Sequence, residues 1–215
     1  MSEGDGEPEP TLADLGRLAE TAPGALADHR SVLESHLTAD SPDRRRRAVD
    51  AVAALAEARP TAVAPLVDAL ADLLADESLR DRAAAAIANV AATDAAAVMP
   101  HRAALVAALA SEGSVRRPAA AAIAALAEAE PDQLAQPGVL ERLTVLLGTD
   151  DSAVRGHAAT ALGSIASVDA AAVCARAGAL QDCLADEAAP VRRGAALALG
   201  RAGPACPAEA VASLG

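Results

Sequence analysis

One segment of the sequence recurs five times at a nearly constant spacing, and this repetition limits the folds that are open to the chain. The clearest example runs over residues 154–166, and its second residue is an arginine. The corresponding arginines are separated by 35, 36, 39 and 37 residues, and they are Arg45, Arg80, Arg116, Arg155 and Arg192. A period of this length indicates stacked helical repeats, in which each unit buries its apolar surface against its neighbours.

The apolar residues within the repeated segment have the spacing of a helix. They stand at positions i, i+4, i+7, i+8 and i+11, and they are Val154, Ala158, Ala161, Leu162 and Ile165. This pattern places them on one face for burial. The chain contains no Phe, Trp or Tyr, and its commonest residue, Ala, has the highest helix propensity. The sequence therefore predicts an all-α protein.

A second helix is predicted between successive repeated segments. The apolar spacing predicts these helices over residues 24–37, 61–74, 95–110, 137–147 and 169–184. Two antiparallel helices per unit make a right-handed α-solenoid of about five helix pairs, which we expect to span residues 11–202. Residues 1–10, with four acids, two Gly and two Pro, are predicted to be a disordered acidic tail. Residues 203–215 are predicted to be a short C-terminal cap or frayed tail.

The chain is strongly acidic, with a net charge of −12, and all 18 of its basic residues are Arg. A charge of this sign repels polyanions, so binding to nucleic acid or to an anionic membrane is disfavoured. Abundant acid, absent Lys and frequent Ala favour a halophilic archaeon as the source, with a GC-rich bacterium as the alternative. No signal peptide pattern and no apolar run of about 20 residues is present, so a cytoplasmic location is expected.

Neither the cysteines nor the histidines form a pattern that is typical of a reactive site. Cys174 and Cys183 lie nine residues apart on one predicted helix, about 13 Å along its axis, and cannot bridge each other. With Cys206 they are predicted to be core-filling thiols in a reducing compartment. The four histidines have no carboxylate or thiol spaced to complete a metal site, and they are His29, His36, His101 and His157. We expect no catalytic residues, no cofactor and no metal.

The repeated unit resembles the second helix of a HEAT repeat. The matching pattern is Asp151-x-x-Val154-Arg155-x-x-Ala158-x-x-Ala161-Leu162-Gly163-x-Ile165, similar to the HEAT-like class seen in bilin lyases and many prokaryotic scaffold proteins. The resemblance covers about residues 11–202. It implies that the acid and the arginine of each unit form a polar ladder between neighbours, and the matching acids are Asp76, Glu112 and Asp151, with Ser41 and Ala188 in the first and last units. It also implies that the second helices face the concave side of the array.

The exposed positions of these second helices are the candidates for a binding site. They carry polar side chains that we predict to bind a partner: Arg46, Arg47, Arg82, Asn89, Arg117, Arg193 and Arg201. Guanidinium groups bind carboxylates in a bidentate manner, so the predicted partner is an acidic protein or peptide segment. Alternatively, these arginines only pair with nearby acids and cover apolar surface. The predicted function is a non-catalytic protein-protein interaction module or scaffold. The alternative is a lyase-like or accessory subunit of an enzyme complex, and the oligomeric state is left open.

Overall fold

The computed structural model describes residues 10–206, apart from the side chain of Leu12. Within this range the chain forms helices joined by short turns and contains no strand, which confirms the all-α prediction. In chain order the helices are α1 (Leu12–Thr21), α2 (Arg30–Leu37), α3 (Pro42–Ala58), α4 (Pro60–Val63), α5 (Val67–Asp72), α6 (Arg80–Ala91), α7 (Ala95–Val98), α8 (Arg102–Ala108), α9 (Arg116–Ala129), α10 (Pro131–Leu134), α11 (Pro137–Leu146), α12 (Ser152–Ile165), α13 (Ala170–Cys174), α14 (Ala177–Asp182) and α15 (Ala189–Ala202). Most of the predicted acidic tail and of the predicted C-terminal cap lies outside the described residues.

Helices α1, α3, α6, α9, α12 and α15 stack side by side in one layer, each against the next. Five of them carry the repeated segment, and their apolar stripes are buried. In α12, for example, Val154, Leu162 and Ile165 are at most 1% exposed. The buried residues of all the units form one continuous core of Ala, Leu, Val and Ile. The array is therefore an α-solenoid of stacked helical repeats, as the period predicts.

The second layer consists of shorter helices than the sequence predicts. The helix expected over residues 61–74 divides into α4, a 3-10 turn at Ala64–Leu66, and α5. The helix expected over residues 95–110 divides in the same way around Met99–His101. Each of these turns contains a proline, Pro65 or Pro100, which lacks the N–H that a continuous helix requires. The helix of the second layer, which we call the outer layer, is therefore divided in these two units. The prediction of one continuous helix is wrong for both.

The remaining outer helices are also divided. Residues 24–37 form a 3-10 segment, Pro23–His29, followed by α2, and residues 169–184 form α13 and α14, followed by a 3-10 turn. Only the helix predicted over residues 137–147 is continuous, as α11, and the short α10 precedes it. The long-helix layer thus provides the regular surface, while the outer layer consists of shorter helices that 3-10 turns divide.

Cys174 and Cys206 form a disulfide, with their Cα atoms 5.4 Å apart. The prediction that both are free thiols is wrong, because a 3-10 turn at Gly203–Ala205 brings the end of the described chain back against α13. Only Cys183 is free and buried, as predicted, and burial raises the pKa of its thiol. Disulfides are rare in reducing compartments. The cytoplasmic location therefore stays a prediction.

The described helices include none with the length and apolar character needed to cross a membrane.

Candidate protein-binding face

The solvent-facing side of the long-helix layer, which we call the inner face, carries a groove over α6, α9 and α12. One hollow of about 700 Å³ is lined by Asn89, Glu128, His157, Thr160 and a floor of alanines. A second hollow of about 670 Å³ adjoins it and shares part of this lining, namely Ala88, Asn89, Ala121 and His157. The shared residues make the two hollows one continuous depression, which we call the central groove. Its floor is low because alanine fills little of the space between neighbouring helices.

Further hollows extend this face toward both ends of the array. Between α1 and α3 lies a hollow of about 530 Å³, lined by residues that include Glu20, Arg47 and Asp50. Between α9, α12 and α15 lies a hollow of about 310 Å³, lined by residues that include Leu197 and Arg201. The inner face is therefore recessed from the first long helix to the last.

The arginine at the second position of the repeat has a structural role. The Arg155 guanidinium donates hydrogen bonds to the carbonyl oxygens of Thr149 and Asp150, at 2.8 and 2.9 Å. It also donates to the Asp186 carboxylate in the next unit, at 2.6 and 3.0 Å, and this pairing is the largest cause that holds the pKa of Asp186 below its usual value. Arg155 thus closes the turn before its own helix and joins two units.

Other units repeat this arrangement with local differences. Arg45 donates to the carbonyl oxygens of Ala39 and Asp40 and lies 3.7 Å from the Asp76 carboxylate. At the end of the array, Ala188 stands where the repeat would carry an acid, but Asp186 two residues earlier supplies the carboxylate. The polar ladder that the resemblance implies is therefore present at Asp76 and, through Asp186, between the last two units. It is absent in the units between these two contacts: Glu112 forms no ion pair with a described residue, and Asp151 pairs with Arg117, whereas Arg116 donates to the Ser111 carbonyl oxygen.

Three of the predicted binding residues are exposed and unpaired. Arg46, Arg47 and Arg193 make no hydrogen bond or ion pair with any residue from 10 to 206. Arg46 and Arg47 lie in the second turn of α3, and Arg193 lies in the second turn of α15. Their charges are therefore available to a partner.

Arg82 and Arg117 line the central groove, but each already has a carboxylate. Arg82 forms an ion pair with Asp50 of the preceding long helix. Arg117 binds Asp151 of the following unit through Nε and Nη2, at 2.9 and 2.7 Å. This hydrogen bonding is the main reason why the pKa of Asp151 lies below its usual value. Both arginines are exposed, so a carboxylate of a partner can replace Asp50 or Asp151 in these ion pairs.

The last two predicted residues lie in different surroundings. Asn89 is half-buried in the middle of the central groove, and its amide has no hydrogen-bond partner within the described range. Arg201 donates a hydrogen bond to the Gly163 carbonyl oxygen at 2.7 Å. The structure thus brings Arg82, Asn89 and Arg117 together in one groove and places the other candidates toward its two ends.

Several further residues line the central groove besides the predicted binding residues. His157 is half-buried there, and this burial is the largest cause that lowers its pKa. Glu57, Asp81 and Glu128 also line the groove. The repeat register could have identified the glutamates, because Glu57 and Glu128 occupy equivalent positions near the ends of α3 and α9. In the part of the chain that is described, no three or more His, Cys, Asp or Glu residues are grouped to hold a metal ion.

Comparison with known proteins supports the fold. Residues 113–165 match the family model described as HEAT-like repeat. No curated protein matches the chain. The crystal structure of an engineered protein is similar at 27% identity, covering 91% of this chain and 90% of that one, with a TM-score of 0.77.

Computationally designed armadillo repeat proteins for modular peptide recognition are similar at 26% identity, covering 88% of this chain and 91% of theirs, with a TM-score of 0.78. A designed armadillo repeat protein in complex with the peptide (KR)4 shares 24% identity over 88% of this chain and 90% of its own. Its TM-score is 0.75, and the likeness is one of fold alone. These comparisons show that the fold of this chain is that of an armadillo- and HEAT-like repeat solenoid.

Proposed function

We propose that the inner face binds an acidic segment of a partner protein and that the chain acts as a non-catalytic scaffold. The residues proposed to make the contact are Arg46, Arg47, Arg82, Asn89, Arg117, Arg193 and Arg201. The observation that carries this proposal is that Arg46, Arg47 and Arg193 are exposed near the starts of long helices without an ion pair to any described residue, and that Arg47 lines the hollow between α1 and α3. We also propose that residues 11–202 act as one array in the cytoplasm.

Two physical features support binding of a segment. The alanine floor of the central groove leaves room for a polypeptide backbone to approach the helices, and Asn89 offers an unpaired amide there. Exposed guanidinium groups form bidentate contacts to carboxylates, and Arg is enriched among the residues that dominate interfaces. The similarity to proteins designed for modular peptide recognition is consistent with this use of the fold.

The paired arginines make a smaller contribution than the unpaired ones. A partner carboxylate at Arg82 or Arg117 has to share the guanidinium with Asp50 or Asp151, and exchange between exposed ion pairs changes the free energy little. We therefore expect the affinity to depend most on Arg46, Arg47 and Arg193.

The proposal can be tested with a fluorescent peptide of twelve glutamates and the whole chain. We expect Arg47→Ser/Arg193→Ser to raise the Kd by about tenfold at low ionic strength, since two exposed ion pairs contribute up to about 1 kcal/mol each. Fluorescence anisotropy measures this change.

The matched control is Arg30→Ser/Arg142→Ser, which removes the same charge from exposed residues of the outer helices α2 and α11. Both double variants are also measured at about 0.1 M salt, where charges farther than about 10 Å from the peptide are screened, and there the control is expected to change the Kd by less than about twofold. Equal losses in the two double variants would show that net charge, and not the inner face, determines binding, and would refute the proposal.

A further inference from the structure

Acidic side chains recur along the inner face, at the opposite ends of the long helices from Arg47, Arg82 and Arg117. Glu20, Glu57 and Glu128 lie near the C-terminal ends of α1, α3 and α9, and each lines one of the hollows. We call these three residues the acidic edge. All three are exposed, and they make no hydrogen bond or ion pair with residues 10–206. A carboxylate near a helix C-terminus is unfavourable because it faces the negative end of the helix dipole. No hydrogen bond or ion pair within residues 10–206 offsets this cost.

Basic side chains line the same hollows at the other ends of the helices. Arg47 lies in the hollow between α1 and α3, and Arg82 and Arg117 lie in the central groove. We call these three residues the basic edge. Arg47 and Glu57 are ten residues apart on α3, or about 15 Å along the axis at 1.5 Å per residue. Because both edges belong to the same helices, their separation is fixed.

The floor between the two edges is apolar and low. It consists largely of alanines, among them Ala54, Ala88 and Ala121. A backbone lying on this floor, across the long helices, has the basic edge on one side and the acidic edge on the other. Over α1 to α9 the face therefore presents guanidinium groups to one side of a bound segment and unpaired carboxylates to the other, although Arg82 and Arg117 also pair with Asp50 and Asp151. Beyond α9, Arg201 shares a hollow with Glu128.

We infer that the segment bound by the inner face is extended and alternates acidic with basic side chains. This inference rests on the proposed function and specifies its ligand. Successive side chains of an extended chain point in opposite directions, so alternation directs every acid toward the basic edge and every base toward the acidic edge. A uniformly acidic segment instead places half of its carboxylates beside Glu57 and Glu128, where like charges repel.

Four fluorescent peptides of twelve residues test the inference on the whole chain at low ionic strength. Three contain six Glu and six Lys each: one alternates them, one has them in two blocks, and one repeats Glu-Glu-Lys-Lys, which segregates the charges on opposite faces of a helix. The fourth is all Glu. The alternating peptide is expected to bind about tenfold more tightly than either peptide of the same composition.

Variants of the acidic edge test whether the preference for the alternating peptide depends on its carboxylates. Glu57→Gln/Glu128→Gln is expected to reduce the preference for the alternating peptide to less than about twofold and to leave the affinity for the all-Glu peptide unchanged or higher. Glu34→Gln/Glu141→Gln changes the net charge equally on the outer helices α2 and α11 and is expected to keep the preference. Circular dichroism verifies that both variants retain the helical fold.

The outcomes separate the inference from the proposed function. Equal binding of the alternating and block peptides, tighter binding of the Glu-Glu-Lys-Lys peptide, or a preference that persists in Glu57→Gln/Glu128→Gln would overturn the inference. If the all-Glu peptide then still loses affinity in Arg47→Ser/Arg193→Ser, the proposed function stands without it. If the all-Glu peptide does not bind, or binds independently of these arginines, the proposed function fails as well.

Discussion

Neighbouring arginines of one repeat have different roles because one residue turns a helix by about 100°. Arg192 points toward the preceding turn and donates to the carbonyl oxygens of Asp186 and Glu187, at 2.7 and 2.8 Å. Arg193 follows it and is exposed, without a partner among the described residues. The same division separates Arg45 from Arg46. The proposed binding function therefore depends on the third and fourth positions of the repeat, and the stability of the turns depends on the second.

His157 allows a prediction at the scale of a single residue. Burial lowers the pKa of its imidazole below the ordinary value of 6.5, so the unfolded chain takes up a proton at a higher pH than the folded chain does. Above pH 6.5 His157 is neutral in both states and does not lower the free energy of unfolding. As the pH falls from 6.5 toward the folded pKa, protonation of the unfolded chain lowers this free energy. The midpoint temperature of thermal unfolding should be lower at pH 5.5 than at pH 7.5, and this difference should be smaller in His157→Gln. An equal decrease in both proteins would contradict this role of His157.

At the scale of the helix, the close contact between α12 and α15 allows a test of packing. A Cβ added at Gly194 would lie 2.8 Å from the Ala159 Cβ and 2.9 Å from the Thr160 backbone nitrogen. Because backbone cannot move aside as a flexible side chain can, Gly194→Ala should destabilise the protein by about 1–3 kcal/mol. Chemical denaturation measures this free energy.

The control lies in the same helix. A Cβ at Gly200 would have no atom within 4 Å, so Gly200→Ala should stabilise the chain by about 0.5–1 kcal/mol through helix propensity. If both substitutions had the same sign, the close approach of α12 and α15 would not determine the effect at Gly194.

The disulfide connects the C-terminal turn to α13 and allows a second prediction at this scale. Cys174 and Cys206 are 32 residues apart, and closing a loop of that length in the unfolded chain stabilises the fold by about 3–4 kcal/mol in the chain-entropy model. We expect Cys206→Ser to lower the midpoint of thermal unfolding under oxidising conditions. The variant and the wild type should unfold at similar temperatures once the disulfide is reduced. A difference that persists after reduction would assign the effect to packing of the side chain.

The long helices could be predicted from the sequence, whereas the outer layer could not be predicted in full. The stripe from Val154 to Ile165 has an unbroken helical period, and the repeated arginine sets its register, so local information is sufficient. In the outer layer the apolar period continues through Pro65 and Pro100, and only the missing N–H groups divide the helices. The Cys174–Cys206 disulfide depends on a turn that returns to an earlier helix, which is a tertiary contact that spacing along one helix does not reveal.

For the whole molecule, the main result concerns the distribution of charge. The chain has a net charge of −12, yet its recessed face combines unpaired arginines with the acidic edge. The arginines could be predicted from the repeat register, but their pairing could not, because Asp50 and Asp151 belong to neighbouring units that only the stacked array brings close. Stacking thus determines which of the predicted binding residues are available. The halophilic source, which rests on composition alone, stays a prediction.

The central claim is that the inner face is the binding surface, and chemical-shift mapping tests it most directly. The whole chain, labelled with nitrogen-15, is titrated with the peptide of twelve glutamates at low ionic strength. We predict that the shifted amides cluster on the inner face, around Arg46, Arg47, Ala121 and Arg193. Shifts confined to the outer helices, around Arg30 and Arg142, would contradict the account.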